Sequence, residues 1–303
     1  MAILKKGFTL RGATGVWGAV WRDALYRAGL WTLSGVLLLL CAGVLLSLVG
    51  GSAEALGEYG FWGFLSSVEW NPTAGREVYG ALPYVVGTIG TSLLALALCV
   101  PLALPVAILT GFYAKGRRLS VVVTTVVDLL AGVPSIVYGL WGFYAVRPLV
   151  ISLGINWQGL GVFTASVVLA IMVVPYAASL CREFLALVPA SLSEAAYSLG
   201  ATRLETLRYV VMPVARRGLV AGFVLALGRA LGETMAVTML IGNTNNLPTS
   251  LRDTGNTLAS VIANQFGEAQ GLRLSALMLM GLLLFAITVL VNLLAKVIMR
   301  KGR

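Results

Sequence analysis

The sequence predicts an all-α, polytopic membrane protein with six transmembrane helices. Three observations predict it. Of the 303 residues, 58% are hydrophobic and only 11% are charged, where an ordinary soluble domain carries about 25% charged residues. A soluble chain of this length has nowhere to hide so much apolar surface, so the excess faces lipid. Six stretches come near the roughly 20 apolar residues that a bilayer core requires. They are continuously apolar rather than alternating, which selects helices over a barrel.

The stretches run near 30–49, 84–112, 121–146, 159–180, 214–241 and 274–299. The first has a basic flank, and Ala53-Glu54-Ala55 looks like a cleavage site. Its apolar core is nevertheless too long for a secretory h-region, and it is expected to remain as an anchor. Trp17, Val20, Trp21 and Leu25 within 16–26 read as a short interfacial helix ahead of it. The expected organisation is a cytoplasmic tail (1–29), the first transmembrane helix (30–50), an external loop (51–82) and a five-helix transmembrane domain (83–300). The external loop is acidic, with Glu54, Glu58, Glu69 and Glu77. It is either a cover for an external mouth or a solvated connector.

Orientation follows from the basic residues. The N-terminal tail carries Lys5, Lys6, Arg11, Arg22 and Arg27, and the second loop Lys115, Arg117 and Arg118. The fourth loop and its flanks carry Arg182, Arg203, Arg208, Arg216 and Arg217, and the C-terminal tail Lys296, Arg300, Lys301 and Arg303. The alternate loops hold only Arg76, Arg147, Arg252 and Arg273. Basic residues gather on the cytoplasmic side, so both termini are expected there. The net charge of +10 is a topology signal rather than a sign of nucleic-acid binding.

Several function classes fall away. With no histidine, His-based triads and most zinc sites are excluded, and no catalytic or metal site is assigned. No G-x-x-x-x-G-K-[ST] pattern is present, so no ATP cofactor is expected on this chain; any ATP must be bound by a partner subunit. Cys41, Cys99 and Cys181 are odd in number, widely spaced and set in or beside apolar runs, which reads as packing.

The loop at 182–213 specifies a rigid elbow. Ser191 with Glu194 and Thr202 with Glu205 have the spacing of two capping boxes. Gly200 lies between them, where a left-handed C-cap residue belongs, and Pro213 stands at the start of the next span. Leu192, Ala195, Ala196 and Leu199 form an apolar stripe. A helix-turn-helix of this kind at the cytoplasmic surface suits docking to a partner.

Away from the ends of the apolar stretches, three charged residues fall within them: Asp128, Arg229 and Glu233. An isolated charge at the bilayer centre costs about 2.5–3.5 kcal/mol on insertion scales. Arg229 and Glu233 are four apart, so a continuous helix would put them on one face as a mutually neutralising pair. Gly228 and Gly232 share that spacing and read as a close-packing seam. One reading is purely structural. The other places Arg229 and Glu233 on a substrate pathway, with the guanidinium offering a planar donor fork to an oxyanion. Glu233 would then hold Arg229 and keep the anion from binding too tightly. Asp128 carries no assigned role. Pro101, Pro105, Pro134 and Pro175 lie within the stretches and are expected to kink them.

The pattern Glu194-Ala195-Ala196-x3-Gly200-x9-Val210-x-Met212-Pro213 resembles the EAA loop of bacterial ABC importer permeases. Val210 and Met212 replace the usual Ile and Leu. The run Gly228-Arg-Ala-Leu-Gly-Glu-Thr-Met-Ala-Val-Thr-Met239, together with Leu129-Leu-Ala-Gly-Val-Pro-Ser-Ile-Val-Tyr-Gly-Leu-Trp-Gly142, resembles the PstC-type permease family of phosphate ABC importers. The likeness covers most of the chain from about Pro83 onward. It implies a type I ABC importer permease with a MetI-like core, acting by alternating access. It also implies a heterodimer with a sister permease subunit, two ATP-binding cassette subunits docked on the 182–213 loop, and an extracytoplasmic phosphate-binding protein. Another oxyanion, such as molybdate or sulfate, would suit the same arginine. An ion-coupled secondary transporter would instead use Glu233 and Asp128 as proton sites, and a membrane scaffold would not need Arg229.

Overall fold

Inside a bilayer every backbone N–H and C=O must find its partner within the protein, and long apolar runs do this as helices. The structure, a computed structural model, describes residues 13–73 and 75–300, with side chains from residue 23 onward. Six helices among them are long and apolar enough to span a membrane: Asp23–Gly51, Leu82–Tyr113, Ser135–Ser152, Val162–Ala186, Arg203–Leu231 and Gly271–Arg300. Lys5, Lys6, Arg11, Lys301 and Arg303 lie outside the described residues, as do the side chains of Trp17, Val20, Trp21 and Arg22.

Helix α1 (Ala13–Gly51) is uninterrupted, and the chain up to Gly50 forms a unit of its own. The separate interfacial helix expected over 16–26 is not distinct from the span. No proline stands between 13 and 51 to end the helix, so it runs straight through.

The second unit begins at Gly51. Its first part is no mere connector. It holds α2 (Ala53–Ser66), bent where Gly60 adopts φ +64, and a hairpin of β1 (Trp70–Asn71) and β2 (Val78–Tyr79). Phe64, Trp70 and Tyr79 are buried. The Trp70 and Tyr79 rings meet edge-on with centroids 4.7 Å apart. The Trp70 indole N–H donates to Gln265 Oε1 at 3.0 Å, and the Ala55 N–H donates to Ser275 Oγ at 2.9 Å. The segment is therefore bonded to the start of the last spanning helix through Ser275 and to the loop ahead of it through Gln265.

Helix α3 (Leu82–Ile108) ends in a π-helical turn at Leu109–Tyr113, and α7 (Val162–Ala186) packs along it. Ala95, Cys99 and Ala103 on α3 join Ala165, Val173 and Ala177 on α7 in one core. Small side chains bring the two backbones close, which is how helices associate where lipid is as apolar as leucine. The Ser166 hydroxyl bridges them by donating to the Thr91 carbonyl at 3.1 Å. Cys99 and Cys181 are buried free thiols and Cys41 is an exposed one. Pro101 and Pro105 sit inside α3 and Pro175 inside α7.

Two of the expected spans are broken. The stretch 121–146 divides into α4 (Arg118–Ala131) and α5 (Ser135–Trp141), followed by a π-helical turn at Gly142–Val146 and α6 (Arg147–Ser152). The spanning element is Ser135–Ser152; no residue of α4 is buried, and its Asp128 is exposed. After α7 come α8 (Ala190–Ser198), α9 (Arg203–Thr206), a π-helical turn at Leu207–Val211 and α10 (Met212–Leu231). The stretch 214–241 stops at Leu231 and resumes as α11 (Met235–Leu240). A loop containing α12 (Leu258–Gln265) leads to α13 (Gly271–Arg300).

Candidate functional site

The break after α10 defines the first site. Gly232 takes the C-cap with φ −90 and ψ 0, and Thr234 has φ −112 and ψ −65. Glycine is costly in a helix interior and cheap at an end, so the chain stops where Gly232 stands. Carbonyls freed by the break find nearby partners. The Glu233 N–H donates to the Ala230 carbonyl at 3.2 Å, and the Thr234 hydroxyl donates to the Gly232 carbonyl at 3.3 Å. Thr238 closes the next turn by donating through both its N–H and its hydroxyl to the Thr234 carbonyl, at 2.9 and 2.7 Å.

This geometry corrects the expected pairing. Arg229 belongs to the last turn of α10, whereas Glu233 lies in the break, so four residues do not place them on one face, and they form no ion pair. Arg229 is exposed and its Cζ stands 5.5 Å from the Tyr176 ring centroid, a cation–π contact with α7. Its guanidinium has no carboxylate partner among the described residues, which leaves the donor fork open. Glu233 is half-buried.

The glycine seam is also half right. A Cβ on Gly228 would lie 2.9 Å from Asn292 Oδ1 of α13, while one on Gly232 would meet only the Arg229 carbonyl, at 3.9 Å. The tight seam of α10 is at Gly218, where a Cβ would stand 2.6 Å from the Phe184 ring of α7.

The other break precedes the short helix that packs against α11. Pro134 adopts φ −59 and ψ 140, an extended residue that ends α4 and starts α5 rather than kinking one helix. The Tyr138 hydroxyl reaches back across the gap to the Leu130 carbonyl at 2.9 Å. Helix α5 packs on α11 through glycine. A Cβ on Gly139 would lie 3.1 Å from the Ala236 Cα, and one on Gly142 would lie 2.6 Å from Val168 Cγ2 and 2.9 Å from Leu240 Cδ1. The two short helices beyond the breaks thus form one closely packed pair. The Leu129–Gly142 motif contains Tyr138, Gly139 and Gly142 but assigns none of them a role, and Tyr176 has no signature in the sequence; the partners of Tyr176 and of the two glycines are distant in it.

The elbow at the opposite end of α10 is built by capping chemistry. The Thr202 N–H donates to Glu205 Oε2 at 2.8 Å, and the Glu205 N–H donates to Thr202 Oγ1 at 3.3 Å, which completes a capping box. Gly200 has φ +85. The Gly200 N–H donates to the Tyr197 carbonyl at 2.9 Å and the Ala201 N–H to the Ala196 carbonyl at 3.1 Å, the two bonds of a Schellman turn. The box expected from Ser191 and Glu194 does not form. Pro189 takes the N-cap with an extended ψ of 131, so the helix begins at Ala190 and Ser191 already lies inside it.

The elbow faces two ways. Ala196 is buried, and Leu207, Val211, Ala215 and Leu219 pack with Ala107 and Leu185 at the ends of the neighbouring spans. Glu194, Ala195 and Pro213 are exposed, and Leu199 is 90% exposed. A large aliphatic side chain so presented is a contact waiting for an apolar pocket.

Residues 103–303 match the model of a family described as binding-protein-dependent transport system inner membrane component. The chain belongs to this family.

Curated relatives agree along most of its length. The phosphate transport system permease protein PstC of Pasteurella multocida is 44% identical over 84% of each chain. That of Haemophilus influenzae is 40% identical over 93% of this chain and 94% of its own, and that of Mesorhizobium japonicum 41% over 90% and 89%. Two inward-facing structures of the MetNI methionine ABC transporter superpose with TM-scores of 0.57 and 0.58 at 21% and 20% identity, covering 72% and 73% of this chain and 93% and 94% of theirs. The fold of this membrane component is that of the type I, MetI-like importer permeases. The matched region contains both helix breaks and the elbow.

Proposed function

We propose that the chain is the transmembrane permease subunit of an ATP-driven importer of inorganic phosphate. The observation that carries this is one continuous helical stretch, Arg203–Leu231, with the outward-facing elbow at one end and the open guanidinium of Arg229 at the other. An elbow held by its own capping bonds and presenting Leu199 suits insertion into an ATP-binding cassette subunit, which would supply the ATP chemistry this chain lacks. An arginine without a carboxylate partner, near a helix break, suits transient recognition of a tetrahedral oxyanion. Glu233 adds negative charge nearby and would keep the anion's residence short. Kinship with phosphate permeases selects phosphate over molybdate or sulfate.

The working assembly is then a heterodimer with a sister permease. Two ATPase subunits dock on the elbow side, and an extracytoplasmic phosphate-binding protein docks on the other. The distribution of the basic residues supports a cytoplasmic elbow and cytoplasmic termini.

The test is uptake of radiolabelled phosphate at low external concentration, in cells with and without this chain and lacking redundant systems. Uptake that needs the chain, collapses on ATP depletion and resists competition by molybdate and sulfate is the expected result. Uptake that survives ATP depletion on an ion gradient would replace this reading with a secondary transporter.

A further inference from the structure

Beside the elbow, α10 and α3 line an open cleft of about 460 Å³. That volume is within the range of small-molecule sites. Its wall is apolar: Leu104 from α3, and Met212, Leu219, Val220 and Phe223 from α10. Two arginines stand on its elbow side, Arg208 and Arg216. Both are exposed, and neither has a carboxylate partner among the described residues. The Arg208 guanidinium lies 5.7 Å from the ring centroid of its neighbour Tyr209, itself 68% exposed.

The arrangement is amphipathic along one axis. Arg216 and Phe223 are seven residues apart on one helix, roughly 10 Å along its axis. Cationic donors therefore sit at the end where the span leaves the membrane, and apolar side chains line the path into it. An arginine at a span end reaches toward the headgroup layer. Two unpaired arginines above an apolar groove form a basic pocket of the kind that holds an anionic lipid headgroup while the groove takes an acyl chain. A free phosphate ion would satisfy the arginines but has no use for Leu219, Val220 and Phe223.

We propose that this cleft is a binding site for an anionic phospholipid, with the headgroup phosphate between Arg208 and Arg216 and an acyl chain along Leu104, Leu219 and Phe223. The site is separate from Arg229 and does not depend on which solute is transported. Its occupant would brace the start of α10 against α3, next to the elbow.

The test uses the intact transporter in lipid nanodiscs with a photoreactive phosphatidylglycerol, its reactive group on the acyl chain, against the matching photoreactive phosphatidylcholine. Labelled peptides are mapped by mass spectrometry. The expected result is phosphatidylglycerol labelling at Leu104 and 219–223, several-fold above phosphatidylcholine and not displaced by millimolar inorganic phosphate. Each surface arginine contributes about fivefold to binding an anionic headgroup, so R208Q with R216Q should cut the labelling by at least about tenfold. A Val220→Trp variant, at a 43% exposed position of the groove wall, fills the groove and keeps both charges, and should cut it as well. Equal labelling by the two lipids, indifference to R208Q with R216Q, or displacement by free phosphate would overturn the proposal. So would cross-links from these residues to the sister permease, which would make the cleft a subunit contact.

Discussion

The elbow and the break at Gly232 stand at opposite ends of one helical stretch and are built on opposite plans. At the elbow every turn is closed by a residue within five positions: Thr202 by Glu205, and Ala201 by Ala196. At the break the helix is interrupted, and the short helix beyond it is held from outside, by α5 at Gly139 and Gly142. The elbow is self-sufficient and presents its surplus, Leu199, to solvent. The break depends on its neighbours and leaves Arg229 without a counter-charge. A surface that must dock on another protein gains from a fixed shape. A site that must take up an ion and release it gains from charge left unpaired.

Four experiments sharpen or break this contrast, the largest expected effect first. Arg229→Ala should leave the folded complex intact and lower phosphate uptake by at least about tenfold, the scale of one charged hydrogen bond. Glu233→Gln should do less. Equal uptake by wild type and Arg229→Ala would remove the arginine from the pathway. Gly142→Leu forces a side chain against Val168 and Leu240 and should destabilise the complex by about 1–3 kcal/mol, read as a lower melting temperature. An unchanged melting temperature would mean that α5 and α11 are not locked together.

At the elbow the separation should reverse. Leu199→Asp should leave the melting temperature alone but abolish co-purification of the ATPase subunits, since the side chain touches little in this chain. Smallest is Thr202→Ala. It removes the cap at a cost of about 1 kcal/mol, and it should raise hydrogen exchange over 203–206 without affecting the breaks. Exchange that rose equally at 232–235 would show that the two ends are not independent.

What could be read from sequence follows the same division. Gly200, Thr202 and Glu205 were legible because each bond they make is local. Ser191 misled because its spacing fits a box, yet Pro189 fixes the helix start two residues too early for it. Arg229 and Glu233 were found by their charge, but their pairing was inferred from helical arithmetic that fails when the helix stops at Gly232. Pro134 announced a disturbance without saying that the chain would break. That outcome depends on the Tyr138 bond to Leu130 and on packing with α11. The fold of 51–82 was hidden altogether. Trp70 and Ala55 bond to partners 195 and 220 residues away, and no local pattern reports such a contact.

One consequence of α10 remains. From the cap at Thr202 the backbone stays helical through 29 residues to Leu231, roughly 43 Å at 1.5 Å per residue. Over that length a tilt of about 10° about one end swings the other by roughly 7 Å. In the proposed assembly, a displacement received at the elbow would be carried along this stretch toward Arg229, and the continuous helix ends at Gly232. A partner closing on the elbow would then move the guanidinium relative to the short helices beyond the gap, which lie outside the continuous stretch.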